Sequence, residues 1–189
     1  MGNKKLISPE FRVTVGDYEI SEGIEVECFS SKESHMDWCR VELSPQLQGL
    51  IRFKDMDEAT VELGYEDDFD SLIDGYVRCG DGDYWKEIMI KDDMMKLDRV
   101  TIKASFVDCE PQDVIRYVLA CAGIEDYILS DENYGKKDLF VIDKRSGIKT
   151  IAEVNSSWGI SNPFFFQKKV FYWGTKEDQK EMYVLEEGE

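Results

Sequence analysis

The sequence predicts an α+β fold: a small antiparallel β-barrel over residues 1–105, then a compact α+β unit over 106–189 in which two helices cover a small sheet. Three observations carry this. Apolar and polar residues alternate at period two through much of the first hundred positions, broken by Gly, Asp and Pro turns. At Pro111, and again near Gly147, the period becomes that of an amphipathic helix. The chain then carries two aromatic-rich runs, 164–166 and 170–173, that read as a hairpin turning at Gln167, Lys168 and Lys169.

In chain order, Phe11, Val13 and Val15 alternate with Arg12 and Thr14, and Gly16-Asp17 supplies a turn. Ile20, Ile24, Val26 and Cys28 resume at mostly even spacing. Next, Trp38, Arg40 and Glu42 fall on one face of a strand and Cys39, Val41 and Leu43 on the other, until Pro45 stops it. Residues 46–53 fit either a helical turn or irregular chain. The stretch 61–77, VELGYEDDFDSLIDGYV, reads as two strands joined by an acidic turn. Gly64 and Gly75 sit in it where a strand must bulge or admit another backbone closely. Residues 84–90 form a further strand, and a last β run, 100–107, is expected to close the barrel.

Pro111 then opens a helix, with Asp108 or Glu110 as its cap and Asp113 complementing its N-terminus. Gly123 ends it. Short strands at 127–129 and 139–142 precede a second helix running from about Gly147 to Gly159. Val114, Val118, Leu119, Ile151 and Trp158 fall on the two helical stripes and are expected to be buried.

A length of 189 residues and 42% hydrophobic content suit one well-packed domain or two small ones. The net charge of −17 argues against a broad phosphate-binding surface, hence against stable nucleic-acid binding. No apolar run reaches the length of a membrane span, and the first residues lack the apolar centre of a secretory signal, which places synthesis in a cytoplasm and no membrane among the partners. Five cysteines, an odd number without C-x-x-C spacing, argue against a disulfide framework or zinc ribbon and for reduced, mostly buried thiols.

No catalytic constellation emerges. His35 and Cys39 would face each other only on a helix; on a strand they stand about 13 Å apart. G-x-S-x-G, H-E-x-x-H and glycine-rich phosphate loops are absent from the sequence. Asp68, Asp70 and Asp74 do not complete a calcium loop, because Leu72 stands where a ligand is needed. The expectation is a non-enzymatic protein with no cofactor and no metal.

Several short motifs together carry a resemblance. These are residues 61–65 and 72–77 of the central hairpin, SFVDCEPQDVIRYVLACAGI at 105–124, TIAEVNSSWGI at 150–160, and the aromatic hairpin 164–173. In this order they resemble the baseplate hub proteins of phage tails and tail-derived injection machines. The resemblance implies a structural role in the virion tail: part of a ring joining the tail tube to the spike or tail tip, around a lumen that passes DNA or an effector. Longer hubs carry a second barrel, which would begin about where this sequence ends, at 186–189. Either another polypeptide supplies it, or six copies form the ring in place of three, or the chain is a fragment. A charge of −17 per copy favours a monomer in isolation at low salt. Glu66, Asp67, Asp68 and Asp70 are candidates for a lumen-facing or tube-contacting loop, since carboxylates let DNA slide; for any single one of them, simple solubility of a charged turn is the stronger explanation.

The alternative is a LysM-like peptidoglycan or carbohydrate-binding module. Residues 150–160 also resemble the first helix of such modules, and Phe164, Phe165, Phe166, Phe171, Tyr172 and Trp173 could stack on sugars. Against this, alternation buries about half the aromatics of any hairpin, and a second LysM helix is not evident.

Overall fold

A computed structural model describes residues 9–31, 35–65, 68–79, 86–167 and 169–174. Two hydrophobic cores organise them.

The first core belongs to a seven-stranded antiparallel sheet: β1 (Glu10–Val15), β2 (Tyr18–Ile20), β3 (Ile24–Phe29), β4 (Trp38–Leu43), β5 (Glu58–Tyr65), β6 (Asp68–Arg78) and β7 (Glu87–Asp92). Its spatial order is β2-β1-β5-β6-β7-β4-β3. Register aligns the apolar positions into rows, Ile20 beside Val13, Val13 beside Val61, Val61 beside Ile73, and likewise Val77, Ile90 and Cys39. A slip of one residue would turn each of these rows to water, so burial fixes the pairing.

Among the described residues no helix covers this apolar face. Ile51 and Phe53, from the irregular chain between β4 and β5, pack on it, and the other buried members of the core come from the strands themselves. The sheet therefore curls round its own side chains. Its edges, β2 and β3, are joined by only Ser21, Glu22 and Gly23, which holds Ile20 and Ile24 within about 14 Å. Among the described residues no ladder pairs β2 with β3, so the sheet is curled but open where the sequence predicts a closed barrel.

Both hairpin glycines answer to close approach. A Cβ on Gly75 would lie 1.9 Å from the carbonyl oxygen of Lys91, and one on Gly64 would lie 2.1 Å from that of Asp68. Gly75→Ala is expected to destabilise the protein by about 1–3 kcal/mol, because β6 must move off β7 to admit the methyl. A urea midpoint equal to that of the parent protein would refute this. Beside the glycines, the β5/β6 register shifts between Val61 and Glu62, which leaves Leu72 as the extra residue of a bulge.

The second core starts at α1 (Met94–Arg99), where Met94 and Leu97 turn into it. Six residues are too few for a helical period to show in sequence. By turning the chain away from β7, α1 delivers the 100–107 run elsewhere: it forms β8 (Thr101–Cys109) and pairs with β10 (Lys137–Ser146) instead of closing the first sheet. Above this ribbon lie α2 (Pro111–Cys121) and α3 (Gly147–Trp158). A three-stranded sheet completes the unit, with β11 (Phe164–Gln167), β12 (Val170–Trp173) and β9 (Tyr127–Leu129) in the order β11-β12-β9, the last pair parallel.

The helix signals resolve as local chemistry. Glu110 is the N-cap of α2, and its backbone N–H donates to the Asp113 carboxylate at 3.0 Å. Ser146 caps α3, accepting from Lys149 N–H, and Gly159 ends it in the left-handed region at φ 69°. Val114, Val118, Leu119 and Ile151 are fully buried. Trp158 is only partly buried: it packs on Phe140 at 5.0 Å, and its indole N–H donates to the Gly135 carbonyl.

The expectation of five reduced thiols needs correction. Cys28 and Cys39 form a disulfide, because register makes them direct cross-strand partners, with Cα atoms 4.1 Å apart. Their separation of 11 residues matches no spacing motif. Of the remaining three, Cys109 is buried, Cys79 partly buried and Cys121 exposed. Burial raises the pKa of the Cys109 thiol, and burial followed by the Asp57 charge raises that of Cys79, which keeps both from acting as thiolates.

Candidate functional site

Two surfaces of opposite character stand out, one on each unit. The first is the β5/β6 hairpin. Between residues 58 and 77 the sequence places seven carboxylates and no basic residue. Asp68 and Asp70 are exposed at its outer end, opposite Tyr65 and Leu63; Glu66 and Asp67 lie outside the described residues. Exposed Tyr65 shares the face of Asp68 and Asp70, whereas Asp74, paired with Thr60 beyond the bulge, is exposed on the opposite face. Leu72 faces water because of the bulge, a feature hidden from sequence alternation. Arg12 anchors the hairpin's side, sitting 4.0 Å over the Phe69 ring and 3.8 Å from Glu62.

The second is the outer face of the β8/β10 ribbon. Val107, Leu139 and Val141 are 76%, 60% and 53% exposed, while Phe140 and Ile142 point into the core. Leu139 is paired with Val107, and Val141 follows one same-face position along, so the three form one patch. Sequence reading misses it: a continuous apolar run such as LFVI looks like a strand buried on both faces. Within residues 101–109 and 136–146, five basic residues outnumber three acidic ones, against the sign of the chain as a whole.

Between the two units lies a cleft of 290 Å³, lined in part by His35, Asp37, Asp92 and Phe164. The Asp92 carboxylate accepts from the backbone N–H groups of Asp37 and Met94, each at 3.1 Å, and so ties the entry of β4 to the start of α1. Desolvation by burial raises its pKa to about 7 against these two hydrogen bonds, with help from the Asp37 and Asp93 charges. This geometry is structural. Both carboxylate oxygens are engaged by main chain, His35 stacks on Phe164 at 4.4 Å, and Cys39 is held in the disulfide. Among the described residues no group of three His, Cys, Asp or Glu side chains is placed to hold a metal, and no helix is long and apolar enough to cross a membrane.

The aromatic hairpin divides as alternation requires. Phe164, Phe171 and Trp173 are buried in the second core. Phe165 and Tyr172 remain partly exposed as a parallel stacked pair, ring centroids 5.2 Å apart. That pair is the main aromatic platform left for a sugar.

No family model matches the chain, and no curated protein matches it. Solved structures do. The chain superposes on the 43 kDa tail protein of prophage MuSo2 from Shewanella oneidensis with a TM-score of 0.62 at 17% identity, over 89% of its own length and 56% of that protein's. A tail protein from Neisseria meningitidis MC58 matches at 0.58 and 13%, over 86% and 50%. A component of the Escherichia coli type VI secretion system, described as similar in structure to bacteriophage T4 tail proteins, matches at 0.51 and 10%, over 85% and 48%. The fold is therefore a phage-tail-protein fold. In particular, the chain spans about half the length of each of these three structures.

Proposed function

We propose that the protein is a structural component of a phage or phage-like tail baseplate, forming part of a hub ring between the tail tube and the tail tip or spike. The observation that supports this best is that nearly nine-tenths of the chain superposes on about half of a prophage tail protein. On this reading the protein is not an enzyme, its home is the virion tail after synthesis in the bacterial cytoplasm, and its partners are tube and tip proteins together with further copies of itself in three-fold or six-fold symmetry. Asp68 and Asp70, with Glu66 and Asp67, would line the lumen or meet the tube.

The test is co-expression with the tail-tube and tail-tip proteins from the same gene neighbourhood, followed by sedimentation and electron microscopy. Co-sedimentation as rings capping tubes is expected. Alone at low ionic strength, copies of charge −17 repel over a Debye length of about 10 Å at 0.1 M salt, so light scattering should report a monomer that associates as salt rises. The LysM-like reading draws on the Phe165/Tyr172 pair and predicts a monomer under all conditions that is pulled down by peptidoglycan. That result, with no tube binding, would overturn the tail reading.

A further inference from the structure

We propose that Cys28 and Cys39 form a redox latch on a link between the two units, open as a dithiol while the chain is made and closed once it leaves the reducing cytoplasm. The timing rests on the tail reading; the chemistry of the latch does not.

The two cysteines bracket the connection from β3 to β4, and this connection grips the second unit. Met36 packs against the second core, and His35 stacks on Phe164 of β11. The Asp37 N–H donates to the Asp92 carboxylate, whose other oxygen accepts from Met94 at the start of α1. Asp37 also holds the end of β3, because its carboxylate accepts from Ser30 Oγ at 2.8 Å and from the Ser31 N–H at 3.3 Å.

Little else fixes that end of the strand. β3 is an edge strand paired with β4 alone among the described residues, and Glu27, Cys28 and Phe29 are all exposed. Ile24 and Val26, nearer its start, are the residues through which it meets the first core. The other ties here are the stack of Phe29 on Trp38 at 5.6 Å and the exposed Glu27–Arg40 pair, and a surface ion pair holds weakly. The bond thus closes the loop, over a separation of 11 residues, where burial no longer holds the strand.

The two sulfur-bearing residues differ in access. Cys39 is 1% exposed within the core, whereas Cys28 is open to water, so an external thiol or disulfide reaches the pair through Cys28. Exposed disulfides are the labile ones. Closing is exchange with a small disulfide of the glutathione class. The Cys28 thiolate attacks one sulfur of that disulfide and expels a thiolate; the Cys39 thiolate then attacks Cys28 Sγ in the mixed disulfide and expels the second. Two protein thiols are oxidised, the external disulfide is reduced to two thiols, and the protons lost by the cysteines pass to the leaving thiolates. Opening is the reverse, with Cys39 leaving.

The test uses the purified chain carrying Cys121→Ser, which removes the other exposed cysteine. Titration with reduced and oxidised glutathione, read by alkylation and mass spectrometry, should close and reopen the pair. Cys39→Ser should trap glutathione at Cys28, whereas Cys28→Ser should take up none at Cys39. Opening should lower the melting temperature by about 5–10 °C. It should also speed amide hydrogen exchange at Asp37 and Met94 by about tenfold or more, which a bond acting only on its own two strands would not do. Reducing the parent chain gives the open state without a substitution, so the exchange result does not depend on how the variants fold. A pair that glutathione neither closes nor reopens, or exchange at Asp37 and Met94 that is the same in both states, would overturn the proposal. So would a pair found already closed in acid-quenched cells. None of these results touches tube binding, which tests the tail reading by itself.

Discussion

Trp173→Ala is expected to destabilise the protein by about 3–5 kcal/mol. Trp173 is among the largest side chains with no accessible surface, and it occupies the rung of β12 between Phe164 on one side and Leu129 on the other. Truncation empties that volume and removes the ring that meets Tyr134 edge-on at 5.7 Å. It also orphans an acceptor: the indole N–H donates to Asn155 Oδ1 at 2.7 Å, so α3 loses its direct bond to the sheet. Trp173→Phe keeps most of the packing but not the donor, and should cost about 1–3 kcal/mol. Urea denaturation of both variants measures this, and a loss below about 1 kcal/mol for the alanine variant would show that the core closes over the gap.

The second large effect is on pH dependence. Asp92 has a folded-state pKa raised from 3.8 to about 7, so between these values the folded chain holds a proton that the unfolded chain has released. Stability from this group is therefore full below about pH 4, declines as pH rises, and is lost above about pH 7. A shift of that size corresponds to at most roughly 4 kcal/mol, and partial water access to Asp92 brings the expected span to about 2–3 kcal/mol. Asp92→Asn cannot ionise. It loses one of the two acceptors for Asp37 and Met94, which sets a constant offset, but its stability relative to wild type should rise by that span from pH 4 to pH 8. Parallel stability-versus-pH curves for the two proteins would exclude the raised pKa.

The elements most legible in the sequence are those whose signals are local. Pro111, Glu110, Asp113 and Gly123 bracket α2, and Gly159 ends α3, because caps and left-handed glycines act within one turn. The alternation in 38–43 gives β4 and its buried face directly. What stayed hidden depends on partners far along the chain. The Cys28–Cys39 bond follows from register, the exposure of Leu72 from a bulge, and the pairing of β8 with β10 from a six-residue helix that redirects the chain. Of the candidate site, the acidic hairpin is written in its composition. The apolar ribbon is not, because exposure of Val107 and Leu139 is decided by what the second core leaves uncovered.

The strand order of the curled sheet also dictates a sequence of events in time. Val13 meets Val61, and Val41 meets Ile88, each across about 50 residues, whereas β5 and β6 are joined by a tight turn. Loop-closure entropy makes the local hairpin the cheapest pairing and the long-range ones the slowest. The sheet is thus expected to nucleate at β5 and β6, whose ladder is longer than that of the local hairpin β1/β2, with the pairings of β1 on β5 and β4 on β7 forming last. Damage within that nucleus slows folding, while damage at the flanks speeds unfolding. The acidic hairpin that faces outward in the finished molecule is on this account also where the chain begins to fold.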